Sequence, residues 1–181
     1  MKIGDPAEKE IVSKYGVQTA PMPLMLAVAP NGAVTRGIPQ SFDEAKILAS
    51  FVSPATEKCL KVLQEGKLPF ICVQGETTKL NAEALKGIED FKAQKDFTKM
   101  TEIVTVSPTD PAEATLLKQF DLAPKTGEAV TFFLARPGAL LGKYKGATKK
   151  DTIAASLAAA MTGGGCCGGG TCAPGQSCDK K

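Results

Sequence analysis

The chain has 181 residues, 43% of them hydrophobic and 23% charged, with Lys and Arg exceeding Asp and Glu by 22 to 19. That length suits one ordinary domain or one and a half small ones, and a surplus of three positive charges is too small for a nucleic-acid-binding face. There is no His and no Trp, which removes the imidazole bases, the imidazole metal ligands and every Ser-His or Cys-His pair. No apolar run is long enough to span a membrane, and no secretory signal is visible; the compartment is left open.

In chain order, "DPAEKEIVSKYGV" (Asp5 to Val17) opens the first predicted helix. Asp5 is a candidate N-cap, Pro6 takes the first helical position and Glu8 sits in the first turn. Then "PLMLAVAPNGAVTRG" (Pro23 to Gly37) reads as an apolar strand, a Pro/Gly turn and a second strand, a β-hairpin. The first strand is continuously apolar, as expected for a central strand buried on both faces. "SFDEAKILASF" follows as a helix with Ala45, Leu48 and Phe51 on its inner side.

Ser53 and Pro54 start a further helix, "ATEKCLKVLQEG", that Gly66 would end. "LPFICVQG" (Leu68 to Gly75) reads as a buried strand, "NAEALKGIEDFKAQKDF" as an amphipathic helix with Leu85, Ile88 and Phe91 inward, and "MTEIVTVSP" as another strand. Then "DPAEATLLKQFDL" (Asp110 to Leu122) repeats the opening helix at a shift of 105: Ile11 and Val12 match Leu116 and Leu117, Tyr15 matches Phe120, and Val17 matches Leu122. A second hairpin, "AVTFFLARPGALLGKYKG" (Ala129 to Gly146), and a second helix, "KKDTIAASLAAA", with Ile153, Leu157 and Ala160 inward, complete the repeat. The basic residues Lys143, Lys145, Lys149 and Lys150 read as a solvated hairpin and helix start.

The repeated unit is helix, hairpin, helix, and before its second copy stand two strands joined by a helix, expected to pair in parallel. This order, with "YGVQTAPMPLMLAVAPNGAVTRGI", resembles the thioredoxin-like superfamily. The resemblance implies an α/β fold, a mixed sheet flanked by helices. Residues 53–161 are then a complete domain, 1–52 the C-terminal half of another, and 162–181 a Gly/Cys-rich tail. It also implies a cis-proline before the buried strand; Pro23 is the nearest match and Pro21 the runner-up, against a trans proline at a strand entrance.

Such a half unit leaves the Leu24–Val28 strand with an unpaired apolar edge. Three expectations follow: a longer chain upstream, packing onto the complete domain, or pairing with a protein partner or a second copy. The first is favoured because "MKIGDPAE" begins almost at the helix.

Thioredoxin-type exchange needs a thiolate at a helix N-terminus after the first strand. The corresponding loop here, "QGETTKLNAE", has no cysteine, and Ala129 stands where the family has its proline. Cys59 and Cys72 read as buried apolar residues. Glu76 and Lys79 read as solvated loop residues. No catalytic residue and no bound organic cofactor is therefore expected. The tail, "TGGGCCGGGTCAPGQSCDKK", is expected to be disordered. It holds Cys166, Cys167, Cys172 and Cys178, soft ligands suited to Zn or Cu(I), or a dithiol arm. The functional expectation is a non-catalytic binding scaffold with a metal-binding tail. The competing expectations are a thiol-disulfide oxidoreductase working through the tail or a missing upstream half, and an interaction module using the strand edge.

Overall fold

The computed structural model describes residues 5–40, 42–123 and 126–162, so Thr162 ends a helix rather than opening the tail, and the rest of the tail with its four cysteines lies outside the described residues. The elements run in chain order as α1 (Lys9–Tyr15), β1 (Leu24–Val28), β2 (Val34–Pro39), α2 (Glu44–Leu48), α3 (Pro54–Gln64), β3 (Leu68–Val73), α4 (Asn81–Lys92), β4 (Thr101–Val106), α5 (Ala114–Gln119), β5 (Val130–Ala135), β6 (Ala139–Lys145) and α6 (Lys150–Thr162). Short 3-10 turns, Pro6–Glu8 and Pro111–Glu113, lead into α1 and α5.

Four strands form a mixed sheet in the order β4-β3-β5-β6. β3 and β4 are parallel, with Phe70 opposite Ile103 and Ile71 opposite Val104. β5 runs antiparallel to β3, and β6 antiparallel to β5. The β3–α4–β4 crossover supplies the parallel pair, which a tight turn could not join. Side chains alternate across the strands and feed two cores. On one face, Ile71, Val73, Val104, Val130 and Phe132 pack with Cys59 and Leu63 of α3 and Leu116 and Leu117 of α5. On the other, Phe70, Cys72 and Phe133 pack with Ile88 and Phe91 of α4 and Ile153 of α6. The Phe70 and Phe133 rings stack at 4.3 Å between centroids.

The helix ends follow their local signals. Ser53 Oγ accepts from Thr56 N at 3.3 Å at the start of α3. Asp5 and Asp110 each accept, through Oδ1, from the backbone N–H two residues on, at 3.0 and 2.9 Å. Gly66, at φ 80, closes α3, where Lys67 N donates to Val62 O at 3.0 Å.

β1 and β2 make a separate two-stranded sheet. This hairpin matches β5–β6 residue for residue at a constant offset of 106, down to the bulge after Ala27 in one and after Phe133 in the other. The closing bonds repeat as well: Gln40 N donates to Pro23 O at 2.7 Å, and Gly146 N to Ala129 O at 2.8 Å. Gln40 and Gly146 both take positive φ, 58 and 71. The one extra residue between the two offsets falls in the connection before the second hairpin.

Two expectations fail in the first unit. β1 is not buried on both faces; no residue of it is fully buried, because among the described residues nothing occupies the edge that β3 covers on β5. α2 also lacks a covered inner face and stops short of the expected helix: Leu48, its last residue, is 61% exposed, and Phe51, beyond its end, is 78% exposed. Their counterparts at the same offset, Ala154 and Leu157, pack against the Phe70 core. Helical periodicity marked an apolar face correctly, but a face is buried only where a neighbour exists.

Candidate functional site

Two places invite function: the loop entering α4, and the uncovered face of the first hairpin. The loop leaves β3 at Gln74, whose N–H donates to Val106 O at 2.9 Å. It then closes on itself. Thr78 Oγ1 accepts from Gly75 N at 2.8 Å and lies 2.6 Å from Asn81 Oδ1, while Asn81 Nδ2 donates to Gly75 O at 2.9 Å. Lys79 N donates to Gly127 O at 3.0 Å and Lys79 O accepts from Ala129 N at 2.9 Å, which lays the loop beside the start of β5. Thr78 is buried, whereas Glu76 and Lys79 are exposed. The Thr78 hydroxyl and the Asn81 amide that hold the loop are spent on each other and on the Gly75 backbone, and no thiol is present at the helix entrance.

The two described cysteines stand elsewhere. Cys72 is in the central strand with no exposure, its Sγ accepting from Thr131 Oγ1 at 3.8 Å. Burial pushes its thiol up, partly offset by the Thr131 hydrogen bond. Cys59 is on α3, 6% exposed, and burial pushes its thiol up to about 11. Both are free, and they belong to cores on opposite faces of the sheet. A thiol held in its neutral form is a poor nucleophile, so neither supplies exchange chemistry.

Pro23 stands directly before β1, and the Met22–Pro23 peptide bond is cis. Its counterpart Ala129 is fully buried. Pro23 thus lies at the entrance of a strand that has no loop of the Gln74–Asn81 kind beside it among the described residues. Cys166, Cys167, Cys172 and Cys178 lie outside the described residues. Among the described residues no three Cys, Asp or Glu side chains gather where a metal ion could be held.

The second place is larger. A groove of about 540 Å³ runs along β1, lined chiefly by Met25, Ala27, Ile47, Phe51 and Val52, with Glu57 of α3 at its rim. The hairpin is fixed to the rest of the chain from its other edge. Val34 N donates to Gln64 Oε1 at 2.9 Å, and Gln64 Nε2 donates to Val34 O at 2.7 Å. One amide side chain thus stands in for a neighbouring strand on β2, leaving the β1 edge unpaired. Arg136, in the β5–β6 turn, braces the same helix end: its Nε donates to Leu63 O at 2.6 Å, and its Nη2 donates to Gln64 O.

Sequence reasoning missed Glu113. It is buried, and its Oε1 accepts from Ala55 N at 2.9 Å, a carboxylate on the first turn of α3. The matching Glu8 has no helix above it and is only half-buried. The repeat itself carried that signal. No helix among the described residues is long and apolar enough to cross a membrane. No family model matches the chain, and no curated protein matches it.

Proposed function

We propose that the chain is a non-catalytic, thioredoxin-like binding scaffold that takes a protein partner at the Leu24–Val28 edge. The thioredoxin-like assignment of residues 53–161 is supported by the sheet order β4-β3-β5-β6, with one parallel pair and a closing hairpin. The placement of α4 and α6 over one face and α3 and α5 over the other supports it too. A single observation carries the non-catalytic reading. The loop that enters α4 spends Thr78 and Asn81 on itself and offers no thiol, and both described thiols are buried and held neutral. Fold alone confers no chemistry where the reacting groups are missing.

The binding role is favoured by the distribution of exposed apolar side chains. Ile11, Met22, Val28, Phe42, Leu48 and Phe51 belong to the shorter first unit, against Leu80, Met100, Leu140 and Met161 in the longer second one. An unpaired strand edge beside such a patch is suited to strand addition. The tail forms a second, separate binding element in this proposal, with Cys166, Cys167, Cys172 and Cys178 as thiolate ligands for Zn or Cu(I).

Two assays decide the proposal. In a disulfide-reduction assay driven by dithiothreitol, the chain should leave the rate of the uncatalysed reaction unchanged. A faster rate, lost on changing Cys166 and Cys167 to Ser, would establish an oxidoreductase instead. The reduced chain should take up about one equivalent of zinc, and uptake that survives deletion of residues 163–181 would refute the metal role of the tail.

A further inference from the structure

The internal repeat describes what the first unit binds. Each surface left open on residues 5–51 has a counterpart at a fixed offset in the second unit, where its covering is visible. β3 lies on the β5 edge with Phe70 opposite Phe133, Ile71 opposite Phe132, Cys72 opposite Thr131 and Val73 opposite Val130. At the offset of 106 these β5 positions are Ala27, Leu26, Met25 and Leu24, which pair with β2 on one side and have no strand on the other among the described residues. α4 covers Ile153 and Leu157; their counterparts are Ile47 and Phe51, which line the open groove. Leu116 is buried with Ala55 and Cys59 of α3; its counterpart Ile11 is 46% exposed. Glu113 accepts from the first turn of α3; its counterpart Glu8 has no such partner.

We propose that the first unit is an acceptor for a helix–strand–helix segment that lies outside these 181 residues, docked as residues 54–92 dock on the second unit. The inference rests on reading the β1 edge as a binding surface and names its occupant. The occupant's strand runs antiparallel to β1 and is apolar. It carries a bulky, preferably aromatic, residue opposite Ala27, because alanine stands there in place of Phe133 and leaves the groove unfilled. Its first helix begins at Glu8, and its second lies over Ile47 and Phe51.

Charge refines the match. In the second unit Glu83 and Asp90 of α4 share a surface cleft with Lys149 and Lys150, and Lys86 and Asp151 line it as well. The counterparts of the two lysines are Asp43 and Glu44, both exposed. The occupant's second helix is therefore basic where α4 is acidic. Among residues 1–181, none outside the second unit can fill the role. Met1–Gly4 are too few, and residues 163–181 contain no apolar run. A second copy pairing β1 against β1 would cover the edge but leave Ile11 and Phe51 exposed.

The test uses the full chain and a synthetic peptide that copies residues 53–98, whose Phe70 falls opposite Ala27 in the expected register. The proposal expects saturable binding at one peptide per chain. Binding should weaken at least about tenfold in Phe51→Asp, an exposed position that folding does not use, and in Ala27→Arg. A peptide with Glu83→Lys and Asp90→Lys should bind several-fold tighter at low salt, with the gain lost at high salt. Absence of binding by both peptides overturns the proposal, as does binding that Phe51→Asp and Ala27→Arg leave unchanged. If sedimentation then shows a dimer that Leu26→Lys dissociates, the β1 edge remains a binding surface and only its occupant is wrong. The disulfide-reduction assay tests the non-catalytic reading separately.

Discussion

Gly87 sits in the middle of α4, where replacement by Ala would ordinarily stabilise the helix by about 1 kcal/mol. The fold predicts the opposite sign. A Cβ built on Gly87 would lie 1.9 Å from the Thr148 carbonyl oxygen and 2.5 Å from its carbon. Both obstacles are backbone, so no side-chain rotation relieves them. To reach ordinary contact, α4 and the turn entering α6 would have to part by about 1.5 Å. That movement loosens Ile153 and Phe91, both fully buried in the same core. Overpacking of this kind costs about 1–3 kcal/mol, and partial loss of apolar burial adds about 1 more. Set against the propensity gain, Gly87→Ala should destabilise by about 2 kcal/mol, lowering the thermal midpoint by roughly 4–8 °C for a chain of this size. Urea and thermal unfolding followed by far-ultraviolet circular dichroism measure it. A midpoint equal to or above wild type would refute the close α4–α6 packing and, with it, the covering that the first unit is inferred to lack.

Two further outcomes follow from the same packing. Cys59 is buried and its thiol is pushed up to about 11 from 9.0. A raised acid binds its proton more tightly in the folded chain, so its contribution is complete below pH 9 and is lost as the pH rises through 11. Relative to Cys59→Ala, wild type should therefore lose up to about 3 kcal/mol of stability between pH 9 and 11; parallel stability–pH curves would contradict the burial of Cys59. Gln64→Ala removes both hydrogen bonds to Val34, worth about 1–2 kcal/mol together. Limited proteolysis should then cut within residues 18–52 several-fold faster while residues 54–162 resist, and an unchanged cleavage pattern would deny Gln64 its bridging role.

Much of the architecture is legible in the residues because it depends on local chemistry and period. Asp-Pro-Ala-Glu announces both helix starts, Gly66 ends α3, and continuous apolar runs mark β3 and β5. The parallel pairing of the strands around Phe70 and Val104 follows from the helix between them. What the residues do not reveal is where a neighbour is absent. Leu48 and Phe51 have the spacing of an inner face, yet lie open because nothing in residues 5–51 supplies the strand and helices that cover the second unit. Long-range devices were equally hidden. Gln64 reads as a helix-surface residue until its amide is found 30 positions away on Val34. Glu113 reads as a first-turn carboxylate, though it caps a helix 58 residues earlier. The candidate chemistry of the α4 loop was readable only as an absence of cysteine; the closed hydrogen-bond ring of Gly75, Thr78 and Asn81 required coordinates.

Backbone amide exchange of the free chain, compared between the two hairpins, tests the account most directly. The hairpins share register, bulge and closing bonds, and differ in that β3 lies on the outer edge of β5 while no described strand lies on the outer edge of β1. Amides of Val130–Phe133 should exchange orders of magnitude more slowly than those of Leu24–Ala27, and the gap should not depend on protein concentration. Equal, strong protection of both strands in the monomeric chain would mean that the first hairpin already has its neighbour, and the acceptor role would fall.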